Sequence, residues 1–248
     1  MVRGQTRKIK KTGKPHQCQC SAECMQKALK GKAFCEKHMR GCERHSPLSG
    51  CEPDYDPERW NKRRPIRETH NCFSYSMNVN DPKQIKMCED DTEDCDAPFH
   101  QPGTAAGYKG FDSERAKTCP NMIVRLLGDN PDMTLSTFES RCPVNTSKIA
   151  LIVDPKEDYH FLRQDSNMMW SHKAGARPVK NIDAKGHTIW DPSLANFNYD
   201  TGDGILNYTI LCSYMCVPRK KNLFLMSGGL RSFYQARPFR TRKTLRRS

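Results

Sequence analysis

The clearest hydrophobic run in the chain is Lys148-Ile149-Ala150-Leu151-Ile152-Val153, in which five apolar residues follow one cation. An unbroken run of this length, rich in β-branched residues, predicts a buried strand. Two shorter stretches follow it, Tyr159-His160-Phe161-Leu162-Arg163 and Met168-Met169-Trp170-Ser171-His172, both with strand character. The triplet Asp165-Ser166-Asn167 between them is built from turn formers. Asp183-Ala184-Lys185-Gly186 predicts a further turn into Thr188-Ile189-Trp190. Tyr208-Thr209-Ile210-Leu211-Cys212-Ser213-Tyr214 is the last strong strand, closed by Pro218. Earlier in the chain the period changes. Residues 71–80 predict a helix that ends before Asp81-Pro82. Pro120, then Met122-Ile123-Val124-Arg125-Leu126-Leu127 and Gly128, predict a second helix with Pro in its first turn. Helices followed by strands predict an α+β domain with a mainly antiparallel sheet.

The hairpin carries chemistry as well as structure. With a three-residue loop at 165–167, Gln164 faces Met168 and His160 stands opposite His172, on one face of the sheet. Two stacked imidazoles can serve as a base and the group that orients it. A nucleophile for such a base lies upstream, in His70-Asn71-Cys72-Phe73-Ser74-Tyr75-Ser76. Cys72 precedes a helical turn, where the positive end of the helix dipole favours thiolate. The plain alternative is that a cysteine at a helix start is a buried, inert thiol.

Cys72, His160 and His172, the second histidine twelve positions after the first, resemble the Cys-His-His constellation of NlpC-type papain-like hydrolases. Six phrases together resemble the papain-like proteins of giant double-stranded DNA viruses: Ser46-Pro47-Leu48-Ser49-Gly50, Asn71-Cys72-Phe73-Ser74-Tyr75, Gln101-Pro102-Gly103, Tyr159-His160-Phe161, Trp170-Ser171-His172-Lys173 and Cys212-Ser213-Tyr214-Met215-Cys216-Val217-Pro218. The resemblance spans roughly residues 46–218. It implies a papain-like domain, a helix packed on a sheet, with Cys72, His160 and His172 as its catalytic set, and a virion protein as its setting.

Charge changes the picture through its placement. Residues 1–15 hold six cations and no acid, and residues 231–248 hold seven and no acid; together they equal the net charge of +13. The body is therefore neutral on balance and the ends are basic arms, suited to acidic neighbours or polyanions. Mean hydropathy is −0.82, no apolar run approaches the length of a membrane span, and Met1-Val2-Arg3-Gly4-Gln5 lacks the apolar core of a secretory signal.

The chain has 13 cysteines. The odd count, without a signal, predicts reduced cysteines that bind metal or lie buried rather than a disulfide framework. Residues 16–51 supply Cys20-x3-Cys24 and Cys35-x2-His38, paired spacings that suit a tetrahedral structural zinc. Cys18, Cys42 and His45 are substitute ligands, and pairing of these cysteines as disulfides is the alternative. The pattern resembles the small Cys3His knuckles of giant-virus proteins. Residues 88–97 form an acidic stretch around Cys88 and Cys95, read as a solvated loop or a cation seat.

The expected organisation is a basic arm (1–15), a zinc knuckle (16–51), a Pro-rich linker with little regular structure (52–70) anchored by Tyr55 and Trp60, the papain-like domain (71–226) and a basic arm (227–248). The expected function is that of a minor capsid protein of a large icosahedral DNA virus. It would reside in the virion, and in host cytoplasm during assembly. Its partners would be other capsid proteins held by the arms, with nucleic acid or an anionic membrane surface as further partners. The alternatives are a cysteine hydrolase packaged in the virion and a nucleic-acid-binding virion protein.

Overall fold

The computed structural model describes residues 45–90, 95, 97–111, 117–154, 157–200 and 205–219, with residues 18, 25–29 and 35–36. Both basic arms lie outside the described residues.

The chain forms α1 (Pro57–Asn61), α2 (Arg64–Thr69), α3 (Cys72–Met77), α4 (Pro82–Asp90) and α5 (Cys119–Asp129) before its strands begin. β1 (Thr134–Ser136), β2 (Thr146–Asp154), β3 (Asp158–Gln164), β4 (Trp170–Lys173), β5 (Val179–Lys180) and β8 (Ile210–Pro218) make one six-stranded sheet in the order β1-β8-β2-β3-β4-β5. All five pairings in that sheet are antiparallel. β6 (Asn198–Asp200) and β7 (Ile205–Asn207) form a separate hairpin. The α+β class and the antiparallel sheet expected from the hydrophobic pattern are present.

The apolar run at 149–153 is central because both of its faces are covered. Ile149, Leu151 and Val153 pack with Phe161, Met215 and Val217 under Phe73, Met77, Met122 and Leu126 from α3 and α5. Ala150 and Ile152 point the other way, to Leu162, Trp170, Tyr214, Ile189 and Phe197. A polar residue at either set would strip one of the two cores, since side chains alternate across a strand.

Residues 52–70 depart from the expected irregular linker. Asp56 caps α1 by accepting a hydrogen bond from the Arg59 amide at 3.1 Å, and prolines stand in the first turns of α1 and α2. Proline there loses no helical hydrogen bond and presets φ, so a Pro-rich stretch can start helices as well as prevent them. Trp60 and Ile66 are buried against Tyr75 and Val179, with Tyr55 beside them, so the anchoring role of Tyr55 and Trp60 holds while the linker reading does not.

The cysteines also depart from expectation. Cys88–Cys95, Cys119–Cys212 and Cys142–Cys216 are disulfides. An odd total says nothing about which thiols the fold brings within bonding reach, and here two partners of distant cysteines fall on β8. Cys88 belongs to α4, not to a loop.

Candidate functional site

Asn71 sets the start of α3. Its side chain accepts from the Ser74 amide at 3.2 Å and donates to the His100 carbonyl at 2.9 Å, tying the helix start to the segment that precedes Gln101. Asn78 ends the helix in the left-handed conformation, φ 59°. Cys72 is thereby held at the first helical position. Its sulfur is buried beside Phe73 and Phe161, and burial pushes the thiol pKa up to about 12, opposing the backbone amides of Phe161 and Phe73 that favour thiolate. The expected thiolate at a helix start is thus outweighed by desolvation.

The Gln101-Pro102-Gly103 turn is fixed from α5. Gly103 has φ +90°, and a Cβ there would meet Arg125 Cγ at 2.8 Å, so only glycine fits. Asp129 accepts from the Gly103 and Ala106 amides at 2.6 and 2.8 Å. Gln101 in turn accepts from the Tyr159 hydroxyl.

The β3–β4 hairpin differs from the expected one by two residues. Gln164 pairs with Trp170 and Leu162 with His172, so the loop runs from 165 to 169 and Met168 takes φ +70°. Asp165 draws the loop inward through its bond to Arg163 at 2.9 Å, both side chains being buried. A slip of two residues preserves facing. His160 and His172 therefore still share a face, as diagonal rather than direct neighbours, with His160 Nε2 2.9 Å from His172 Nδ1.

Their tautomers follow from the partners. His172 Nε2 lies 3.0 Å from the Ile182 carbonyl, which only accepts, so Nε2 carries the proton. Burial lowers the pKa of both rings, keeping them neutral. His172 Nδ1 is then an acceptor, His160 Nε2 is the donor, and His160 Nδ1 keeps a lone pair. Tyr208 flanks His160 with ring centroids 5.3 Å apart, and its hydroxyl donates to Asp158 at 2.8 Å.

Cys72, His160 and His172 all open on one cleft of about 860 Å³. Cys72 packs on the Phe161 face of β3, while His160, paired with Ile152, and His172, paired with Leu162, project to the opposite face. The structure thus joins the two histidines to each other, and the thiol opens on the same cleft from the α3 side. Sequence reasoning missed the cleft's other polar residues: Lys117, Asp158, Arg177 and Lys180 lie in no motif that would have drawn attention to them, and Asp183 was read only as the start of a turn.

Of the expected zinc ligands, Cys20, Cys24 and His38 lie outside the described residues. Cys35 is buried, and its amide donates to the Cys18 sulfur at 3.2 Å, so Cys18, one of the substitutes, stands beside Cys35. Glu68, Cys88 and Cys95 also bring ligand atoms within 4.8 Å of one another. The two sulfurs there are bonded to each other, so this group can take a metal only once reduced.

Insoluble matrix shell protein 1 of Ruditapes philippinarum is 32% identical to this chain over 146 residues, which cover 59% of this chain and 82% of that protein. The chain belongs to the family of that shell protein. No protein-family profile matches it, and no solved structure matches it. The matched length is more than half of the chain, too long to be one motif. Among the described residues no helix is long and apolar enough to cross a membrane.

Proposed function

We propose that the chain is a structural protein of an insoluble, cross-linked protein assembly. The observation that carries this reading is its membership in the family of a shell matrix protein. Three disulfides support it, since such bonds persist where the surroundings are oxidising. A virion is the specific setting suggested by the resemblance to viral papain-like proteins. In that form the chain is a minor capsid protein, assembled in host cytoplasm. Residues 1–15 and 231–248 bind neighbouring capsid proteins, and nucleic acid or an anionic membrane surface in addition; zinc held by Cys20, Cys24, Cys35 and His38 orders the segment before the domain. Fractionation tests the reading. The full chain should remain in the detergent-insoluble or particle fraction, and a chain lacking residues 231–248 should fold yet shift to the soluble fraction. Full-length protein that is wholly soluble and monomeric in its native source would refute it.

A second reading is a papain-like cysteine hydrolase acting on an amide or ester. It is favoured by the one cleft on which Cys72, His160 and His172 open, and by the lone pair left on His160 Nδ1. Cys72 would attack, His160 would take the proton, and His172 would orient His160. An electrophilic thiol probe tests it. Labelling of Cys72 near neutral pH that is lost in His160→Ala would establish an activated thiol. Labelling that rises about tenfold per pH unit and is indifferent to His160→Ala would leave an inert one.

A further inference from the structure

The charged side chains around the cleft are unequally committed. Asp183 is spent on the backbone: its Oδ1 accepts from the Lys185 and His187 amides, each at 2.9 Å, and its Oδ2 from the Asn196 amide at 3.0 Å. Asp158 accepts from the Tyr208 hydroxyl and lies in the field of Lys117. The two buried histidines are neutral. Arg177 and Lys180 are different. Both are exposed and line the cleft. Lys180 is paired directly with His172 across β4 and β5, so its side chain rises on the cleft face beside that ring. Arg177 sits in the turn that joins those strands, its amide bonded to the Ala174 carbonyl at 2.9 Å. Among the described residues neither cation has an ion-pair partner. The same cleft is also lined by the apolar Phe99, Phe111, Leu206 and Tyr208, with Phe99 beside the β4–β5 turn at Gly175.

We propose that this cleft binds an acidic peptide, its side-chain carboxylates held by Arg177 and Lys180 and its apolar residues against Phe99, Phe111 and Tyr208. The charge complementarity favours anions, because Arg177 and Lys180 have no ion-pair partner among the described residues while Asp183 already accepts from three backbone amides. The apolar wall selects a peptide over a bare polyanion, which has nothing to place there. The cleft's volume is within the range of sites that enclose most of a ligand. The inference goes beyond both readings above, since it requires neither assembly nor a reactive thiol.

The test uses the full chain and a fluorescein-labelled peptide alternating Glu and Leu, followed by anisotropy. The basic arms could also hold such a peptide, so the deciding variant leaves them intact: Arg177→Glu with Lys180→Glu. Both side chains are exposed, and an unchanged melting temperature verifies the fold. We expect binding at least about tenfold weaker in this variant, because the reversed charges repel the ligand. We also expect a Gln-Leu peptide to bind neither protein. Equal affinity of the variant for the acidic peptide would overturn the proposal and assign the binding to the arms. Equal, Arg177- and Lys180-dependent binding of a single-stranded oligonucleotide would overturn it in favour of a phosphate ligand.

Discussion

His160 Nε2 lies 2.9 Å from His172 Nδ1, although the two residues are not opposite one another in the sheet. The contact is diagonal, and it closes a chain of donors that ends on the Ile182 carbonyl. His172→Ala should leave the buried His160 N–H without an acceptor and cost about 1–3 kcal/mol, measured by chemical denaturation. Both rings have lowered pKa values through burial. The unfolded chain therefore binds protons first, and stability should fall as pH drops below about 6.5. Imidazole NMR signals of the folded protein should show no titration of either ring near that pH; a ring that titrates there is not held as described.

Arg163 and Asp165 form an ion pair with side chains 1% and 0% exposed. Arg163 also donates to the Asp54 carbonyl at 2.8 Å and lies over the Tyr75 ring at 4.0 Å, so it joins the residues before α1, α3 and the hairpin. Arg163→Met should destabilise by about 3–5 kcal/mol, because it leaves a buried carboxylate unpaired. Adding Asp165→Asn should recover part of that loss. If the double variant is no better than the single one, the cost lies in lost packing rather than in the unpaired charge.

Two disulfides end on β8, from Cys119 at the start of α5 and from Cys142 before β2, with sequence separations of 93 and 74 residues. Loops of this size restrict the unfolded chain strongly, and each bond should contribute about 2–4 kcal/mol. Paired Cys→Ser replacement of Cys142 and Cys216 should lower the melting temperature in non-reducing buffer. Thiol counting by mass spectrometry under denaturing, non-reducing conditions should find six of these cysteines blocked against alkylation, Cys88 and Cys95 included.

Lys173 is fully buried, and its ammonium donates to the Arg67 and Gly175 carbonyls. Desolvation lowers its pKa from 10.5 to about 7. Between those values the unfolded chain binds a proton that the folded chain has lost, so stability should rise with pH across that window. Lys173→Met should flatten that rise in denaturation curves collected from about pH 7 to about pH 9. An unchanged slope would mean that Lys173 stays charged in the fold.

The local elements were legible in the sequence because their causes are local. Ile149–Val153 had to be buried, and the helix expected over residues 71–80 forms as α3, Cys72–Met77. The shared face of His160 and His172 was legible too, since a hairpin two residues out of register keeps its facing. What tertiary structure decided involved distant parts of the chain. The buried Arg163–Asp165 pair lengthened the hairpin loop to residues 165–169. Closure of β8 onto β2 selected the partners of Cys119 and Cys142 from among many thiols. Packing of α3 on Phe161 buried Cys72, and that burial outweighed the helix end that would have favoured its thiolate. Arg177 and Lys180, separated in sequence from every motif, reached the cleft only because β5 pairs with β4. Spacing along a chain carries periodicity and capping; it does not carry desolvation or the meeting of residues that long loops bring together.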